Sequence, residues 1–150
     1  VIFELSKIIN FHLIIIGGDC DFKICENSTF QKMQRFESTE DLSLIYRSAN
    51  LLLLPSLIET LPQVATECIT TGTPLVAFKG SGTEDVVINN KTGLLVDRFN
   101  KKQFLDAILF LLSKSNKDLS NSCYKYSSLN WNEQVIAQKY FSLYKKFSKQ

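Results

Sequence analysis

The chain has 150 residues, of which 45% are hydrophobic and 21% are charged, and its formal net charge is +2. A chain of this size and composition can bury one hydrophobic core, so we expect a single domain over residues 1–150. No apolar run approaches the length of a transmembrane span, and the first three residues are followed by Glu4 and Lys7, unlike a signal peptide. We therefore expect a cytoplasmic protein.

The lysines are dispersed except near the C-terminus, where four collect: Lys139, Lys145, Lys146 and Lys149. A weakly basic stretch of this kind is typical of a solvated helix face, and the functional alternative is contact with an anionic membrane surface. We expect no nucleic-acid partner. Peripheral association with the inner face of a membrane stays as an alternative.

The four cysteines and the single histidine do not form a metal-binding pattern. Cys20, Cys25, Cys68 and Cys123 contain no C-x2-C pair, and His12 directly precedes a predicted strand. We therefore expect no metal site, reduced thiols and a structural role for His12.

The predicted elements alternate between helices and strands. In chain order they are a helix over 1–10, a strand over 13–16, a loop over 19–28, a strand over 30–36, a helix capped by Thr39, a strand over 51–54, a helix opened by Pro62, a strand over 75–78, a short helix from about Thr83, a strand over 94–96, a helix with a capping box of Asn100 and Gln103, a polar loop over 116–121, and a long helix over 132–147. This alternation predicts an α/β fold with a Rossmann-like parallel sheet and helices on both faces.

The most informative stretch is residues 51–74, LLLLPSLIETLPQVATECITTGTP. Its uninterrupted apolar run predicts a strand buried in a parallel sheet. Pro62 suits the first turn of a helix, and Gly72 is the expected left-handed cap at the end of that helix. The order is therefore strand, loop and helix, and ligands of such sheets bind beyond the carboxyl ends of the strands.

Two glutamates lie on either side of this strand-to-helix turn. Glu59 is in the loop, and Glu67 is more than one turn into the helix. Carboxylates accept hydrogen bonds from vicinal hydroxyls, whereas the backbone N–H groups of Gln63 and Val64 at the helix N-terminus suit a phosphate. The pattern favours a ligand with a phosphate centre and hydroxylated groups on both sides, which describes a nucleotide-sugar.

This region resembles the signature of the retaining glycosyltransferases of family 4 (group 1), which have the GT-B fold. The signature is carried by Glu59-x7-Glu67 followed by GTPLVA at 72–77. Five further segments resemble the family in the same order: LIIIGG (13–18), DLSLIYRSAN (41–50), GTEDVV (82–87), TGLLV (92–96) and NW (130–131). The resemblance covers nearly the whole chain and implies the C-terminal, donor-binding half of a GT-B fold.

The resemblance implies a donor site of six residues: Gly17, Glu59, Leu61, Gln63, Val64 and Glu67. Glu67 would accept the ribose hydroxyls of the nucleotide. Glu59, the implied catalytic residue, would hold a hydroxyl of the donor sugar and support positive charge at its ring. The backbone N–H groups of the other helix and loop residues would bind phosphate or sugar oxygens, and Gly17 would allow close approach of the backbone.

The implied reaction is transfer with retention from a UDP- or GDP-type sugar to a glycan or lipid-linked acceptor, without a metal or other cofactor. The E-x-L-P-Q pattern at residues 59–63 matches a subset of the family linked to polysaccharide or lipopolysaccharide biosynthesis. The family's first strand, with an Arg and Lys that bind the diphosphate, would precede Val1, as would its acceptor domain. Since no residue here matches that pair, we expect these 150 residues to be inactive alone.

Arg35 departs from the family pattern, because it stands where a glycine is common.

Two functional alternatives also follow from the residues. One is a non-catalytic module that binds a nucleotide-sugar, which the missing basic pair favours. The other is a GT-B-like nucleotide-sugar epimerase, against which the single His12 argues, because such an enzyme needs histidines placed for acid–base chemistry.

Overall fold

The structure of the chain is a computed structural model that describes residues 1–18, 21 and 23–148. Its elements in chain order are α1 (Ile2–Ser6), β1 (His12–Ile16), β2 (Thr29–Met33), α2 (Thr39–Ser48), β3 (Leu52–Leu54), α3 (Gln63–Thr70), β4 (Leu75–Phe78), a 3-10 turn (Gly82–Asp85), β5 (Gly93–Val96), α4 (Lys101–Leu112), α5 (Asn116–Asn130) and α6 (Glu133–Phe147). The α/β class predicted from the alternation is confirmed.

The described strands form two sheets, and every pairing in them is parallel. β1 pairs with β2, with Ile14 opposite Gln31, and the second sheet has the order β3-β4-β5. In that sheet Val76 of β4 lies opposite Leu53 on one side and Leu94 on the other. Parallel pairing brings the carboxyl ends of neighbouring strands to the same sheet edge, where the loops that follow them meet.

Helices cover both faces of the three-stranded sheet. Val76 points to one face, where it joins a core with Leu5 of α1 and Phe104 of α4. Its neighbours Leu75 and Ala77 point to the other face and join a core built from α3 and α5. The alternation of side chains along β4 therefore separates two hydrophobic cores, as expected for a sheet buried on both faces.

The polar loop predicted over residues 116–121 is wrong, because these residues begin the 15-residue helix α5. Its buried positions are Leu119, Cys123 and Ser127, which are spaced four residues apart and so lie on one helix face. The hydroxyl of Tyr124 on this helix also donates a hydrogen bond of 2.7 Å to the carbonyl of Thr71. Packing against α3 and the sheet thus stabilises a helix of largely polar composition.

The prediction of a cap at Thr39 is also wrong, because Ser38 fills that role. The Ser38 hydroxyl accepts a hydrogen bond of 3.2 Å from the Asp41 N–H, and Thr39 is the first helical residue. The cap at Asn100 is confirmed, since its side chain accepts from the Gln103 N–H at 3.0 Å. The predicted return bond is absent, because the Gln103 side chain accepts instead from the N–H of Asp97 at 2.6 Å.

The loop predicted over residues 19–28 lies partly outside the described residues. Positions 19, 20 and 22 are among those outside, and they include Cys20. The other predicted helices and strands are present, with ends shifted by a few residues.

Candidate functional site

The N-terminus of α3 lies directly beyond the carboxyl end of β3. Pro62 precedes the helix in an extended conformation, and its carbonyl accepts hydrogen bonds from Ala65 and Thr66. No side chain caps this helix end. Within the described part of the chain, the N–H groups of Gln63 and Val64 have no hydrogen-bond partner, so they remain available to an anion.

The far end of α3 explains why this helix is only eight residues long. Gly72 has φ of +88°, a left-handed conformation that an L-residue adopts only with strain, and it follows the C-cap Thr71. A Cβ atom on Gly72 would lie 2.4 Å from the Ser120 hydroxyl oxygen. The glycine therefore both terminates α3 and permits close packing of α5.

A cavity of about 890 Å³ lies between β1 and β3 and reaches the loops after both strands. Three of the six predicted site residues line it: Gly17, Val64 and Glu67. The other three, Glu59, Leu61 and Gln63, belong to the adjoining loop and helix start but are not among its lining residues. The structure thus brings half of the predicted set to one cavity.

Glu67 is held by a residue that the sequence analysis did not select. The Tyr46 hydroxyl of α2 donates a hydrogen bond of 3.2 Å to Oε2 of Glu67. Burial raises the pKa of Tyr46, and the Glu67 carboxylate raises it further, so the hydroxyl stays protonated and remains a donor. Glu67 itself is solvent-exposed, which leaves its other oxygen accessible to a ligand hydroxyl.

Glu59 lies in a loop that is held by its backbone. Its carbonyl accepts a hydrogen bond of 2.8 Å from the N–H of Gly82. A Cβ atom on Gly82 would lie 1.7 Å from the carbonyl oxygen of Thr60, so only glycine fits against this loop. The Glu59 side chain is half-buried and has no hydrogen-bond partner within the described ranges. The two loops therefore form one unit, with the carboxylate of Glu59 available.

The segment that carries Gly82 is itself anchored to the sheet. The Thr83 hydroxyl donates a hydrogen bond of 2.6 Å to the Phe78 carbonyl at the end of β4. Arg98 donates from Nε to the Lys79 carbonyl at 3.1 Å and also bonds the Gly80 carbonyl. Contacts from two strand ends therefore position the loop that supports Glu59.

Arg35 is the second residue at the cavity that the sequence analysis did not assign to the site. Gly17 has φ of +69°, and a Cβ atom placed on it would lie 2.8 Å from Cγ of Arg35. The pairing of Ile16 with Met33 brings these two residues together, since each follows its strand end by one or two positions. A guanidinium group thus lines the cavity beside the turn at Gly17.

The comparison with protein families identifies this arrangement. The model of the glycosyl transferases group 1 matches residues 2–129, which is most of the chain.

The chain belongs to the glycosyl transferases group 1.

A curated relative matches this chain over only part of its own length. The chain is 34% identical over 103 residues to the D-inositol 3-phosphate glycosyltransferase of Corynebacterium urealyticum, an alignment of 65% of this chain and 24% of that protein. The chain therefore spans about a quarter of the length of this relative.

Two solved structures share the fold of this chain. Sucrose-phosphate synthase from Thermosynechococcus elongatus superimposes with a TM-score of 0.71 and 27% identity, over 81% of this chain and 31% of that chain. Anabaena Alr3699/HepE, solved in complex with UDP, superimposes with a TM-score of 0.66 and 17% identity, over 83% and 33% respectively. The GT-B assignment of the fold is thereby confirmed.

No cluster of three or more His, Cys, Asp or Glu side chains within residues 1–18, 21 and 23–148 is placed to hold a metal ion. Among the helices of that same part of the chain, none has the length and apolar character needed to cross a membrane.

Proposed function

We propose that this chain binds the nucleotide-diphosphate sugar in a retaining group 1 glycosyltransferase. The observation that carries the proposal is the carboxylate of Glu67, fixed by Tyr46 at 3.2 Å on the wall of a cavity that also contains Gly17. An ionised carboxylate can accept several hydrogen bonds on its two oxygens. Glu67 can therefore accept hydrogen bonds from two vicinal hydroxyls in addition to the one from Tyr46. We assign it to the ribose of the nucleotide.

The phosphates would lie between this carboxylate and the sugar. The free N–H groups of Gln63 and Val64 and the positive end of the α3 dipole favour negative charge there. Arg35 adds a planar donor group that lines the cavity beside Gly17, and guanidinium groups bind phosphate oxygens in pairs. We therefore expect donor binding to be as tight in EDTA as in magnesium.

Glu59 would contact the sugar from the loop before α3. Its side chain is half-buried and forms no hydrogen bond with a described residue, so it can accept one from a sugar hydroxyl. As the bond to the departing diphosphate breaks, the same carboxylate would stabilise positive charge at the sugar ring. The acceptor is proposed to be a glycan or a lipid-linked sugar, bound by another part of the complete protein.

Calorimetric titration of the purified chain with UDP, GDP and ADP tests this proposal. Arg35→Gln should weaken the binding of the preferred diphosphate by tenfold or more, because it removes a charge-assisted phosphate contact. Arg47→Gln is the matched control, since Arg47 is an exposed arginine in the last turn of α2 and does not line the cavity. Absence of binding by all three nucleotides, in a chain that is folded by circular dichroism, contradicts the proposal.

A second experiment addresses the reaction. Full-length protein that binds a nucleotide-sugar and transfers it with retention supports the enzyme assignment. Binding without transfer to any acceptor would instead favour a non-catalytic module. The 150 residues alone are expected to bind donor and not to transfer it, and sugar transfer above the buffer rate by this chain contradicts that expectation.

A further inference from the structure

A second cleft lies at the end of the three-stranded sheet that is opposite to the donor site. Its volume is about 340 Å³, and it is lined by the end of α2, the turn between α3 and β4, and the first half of α5. Asn50 and Pro74 lie just before β3 and β4, so the cleft is at the amino ends of these strands. The cleft and the cavity of the donor site share no lining residue in the described part of the chain. The proposed donor site therefore makes no use of this cleft.

Internal hydrogen bonds hold the walls of this cleft in place. The buried hydroxyl of Thr73 donates a hydrogen bond of 2.6 Å to the Tyr46 carbonyl near the end of α2. The hydroxyl of Tyr124 on α5 donates one of 2.7 Å to the Thr71 carbonyl at the end of α3. The hydroxyls of Ser48 and Thr71 also donate to carbonyls of their own helices. The cleft is therefore a shape that the fold maintains, formed where α2, α3 and α5 meet.

Four other polar side chains at the cleft have no hydrogen-bond or ionic partner among the described residues. They are Arg47 in the last turn of α2, Asn50 before β3, and Asn116 and Ser120 on α5. Asn116 and Ser120 are four positions apart and so lie on one face of α5. An amide side chain and a hydroxyl can each donate and accept a hydrogen bond, as a sugar hydroxyl does. Side chains from three separate parts of the chain thus offer unused bonds to a hydroxylated ligand.

Tyr124 adds a rigid aromatic surface to the same cleft. It is 40% exposed, and its hydroxyl is tied to Thr71. Its ring also lies against Gly72, where a Cβ atom would be only 2.6 Å from Cε2 of the ring. A ring held at both its edge and its hydroxyl loses little conformational entropy when a ligand packs on it. An aromatic surface beside amide and hydroxyl groups matches a sugar ring, which has apolar C–H faces and polar edges.

Arg47 gives the cleft a positive charge. Among the described residues that line the cleft, it alone is charged, and within the described ranges no carboxylate pairs with its guanidinium group. A guanidinium group forms paired hydrogen bonds with a carboxylate or a phosphate. The charge of the cleft therefore favours a sugar that carries one anionic group over a neutral sugar.

We propose that this cleft binds one acidic sugar unit, a pyranose that carries a carboxylate or a phosphate group. Arg47 would bind the anionic group, and the ring would pack on Tyr124. The hydroxyls would bond to the side chains of Asn50, Asn116 and Ser120. Sites for small molecules have volumes of about 300–1,000 Å³, so a cleft at the lower end of this range suits a single sugar rather than a nucleotide-sugar. The ligand is distinct from the donor, and the inference does not depend on the proposed donor site.

NMR titration of the chain, followed by the amide signals of assigned residues, tests this inference. The probes are glucuronate, glucose 6-phosphate, glucose and inorganic phosphate. The two acidic sugars should shift the signals of residues 47–50, 71–73 and 116–124, with a Kd of about 1–10 mM, because a single sugar makes few contacts. Glucose lacks the anionic group and phosphate lacks the sugar, so each should bind about fivefold more weakly.

Two variants separate the charge contact from the hydroxyl contacts. Arg47→Gln should lower the affinity for glucuronate to that for glucose and leave the affinity for glucose unchanged. Asn116→Ala should weaken both sugars by about threefold or more, the range for one neutral hydrogen bond. Asn121→Ala is the matched control, because Asn121 is an exposed asparagine on the same helix and does not line the cleft. Unchanged signals from the sheet show that each variant is folded.

Several outcomes would overturn the inference. Equal affinity for inorganic phosphate and glucose 6-phosphate would make the cleft an anion site only, and equal affinity for glucose and glucuronate would remove the role of Arg47. The absence of a saturable shift at the cleft with either acidic sugar, or shifts confined to residues around Glu67, would also contradict it. A parallel titration with UDP keeps the two proposals apart, because UDP should shift Gly17 and Glu67 and not the cleft. Failure of UDP to bind, with sugar binding at the cleft intact, contradicts the donor site alone.

Discussion

The hydroxyl of Tyr46 on α2 donates a hydrogen bond of 3.2 Å to the carboxylate of Glu67 on α3, and so connects two helices at the cavity wall. Tyr46 is only 6% exposed, whereas Glu67 is open to solvent. The buried partner therefore limits the orientations of the accessible one. A carboxylate oriented in advance loses less conformational entropy when it binds a ligand.

Tyr46→Phe should weaken nucleotide binding without unfolding the chain. The ring keeps its packing, but Glu67 loses the donor that orients it, at a cost of about 0.5–1.5 kcal/mol in binding free energy. Calorimetry with the nucleoside diphosphate measures the effect, and thermal unfolding checks the fold. Tyr124→Phe is the matched control, because the Tyr124 hydroxyl bonds to the Thr71 carbonyl away from the cavity. Equal affinity in wild type and Tyr46→Phe contradicts this prediction.

The two glutamates should differ in the ligand that they affect. Glu67→Ala should lower the affinity for the plain nucleoside diphosphate and for the nucleotide-sugar alike, by about 1.5–3 kcal/mol, the range for a hydrogen bond to a charged group. Glu59→Ala should weaken only the nucleotide-sugar. Asp106→Ala, at an exposed position in the middle of α4, serves as the control.

In the full-length enzyme, Glu59→Ala should also lower kcat more than it raises KM, because a contact that strengthens in the transition state appears in kcat. If Glu59→Ala reduces binding of the plain diphosphate as much as Glu67→Ala does, the division of roles is wrong.

Gly82→Ala should destabilise the fold and disturb Glu59. The added Cβ would lie 1.7 Å from the Thr60 carbonyl oxygen, so the two loops must separate. Overpacking of this kind costs about 1–3 kcal/mol of unfolding free energy. Gly18→Ala is the matched control, because its Cβ would meet only Ile15 Cγ2 at 3.5 Å, an ordinary contact. Urea unfolding of both variants provides the comparison, and equal midpoints for the two would refute the steric argument.

Stability should fall at alkaline pH because of buried thiols. Burial raises the pKa of Cys123 to about 12 from an ordinary value of 9.0, and burial also raises the pKa of Cys68. The folded state therefore favours the neutral thiol, and this contribution is complete below pH 9 and is lost as the pH rises towards 12. Each thiol should add a slope of about 1.4 kcal/mol per pH unit to the loss of unfolding free energy.

Cys123→Ala should reduce that slope by one thiol's share, whatever it does to stability at neutral pH. Denaturant unfolding at several values between pH 9 and 12 measures the slope, because this is the range between the ordinary and the raised pKa of Cys123. Cys25→Ala is the matched control, since it removes a thiol that is only partly buried. An unaltered slope in Cys123→Ala contradicts the prediction.

The strand-loop-helix unit around Glu59 and Glu67 could be predicted because its signals are local. An apolar run, Pro62 at the helix entry and Gly72 at its end act through steric limits on neighbouring residues, and these are the same in any tertiary context. The resemblance to the family also came from these residues, together with further segments that occur in the same order as in the family. The placement of a helix N-terminus beside a sheet edge was thus available before any coordinates.

Helix α5 could not be predicted in the same way. Its first six residues, NKDLSN, are mostly polar, and intrinsic propensity favours a loop for them. What decides their conformation is the burial of Leu119 and Cys123 in two different cores, whose other members belong to other helices and strands. Tertiary packing here overrides local preference.

Arg35 and the gap between β1 and β3 show the same division for the site. Local sequence was enough to predict which segments are strands and which residues carry charge, because these are properties of single residues and their neighbours. Only the parallel register, with Ile16 opposite Met33, decided that Arg35 lies beside Gly17. Only the sheet order decided that the unpaired sides of β1 and β3 line one cavity, because hydrogen bonding between strands joins residues that the chain separates.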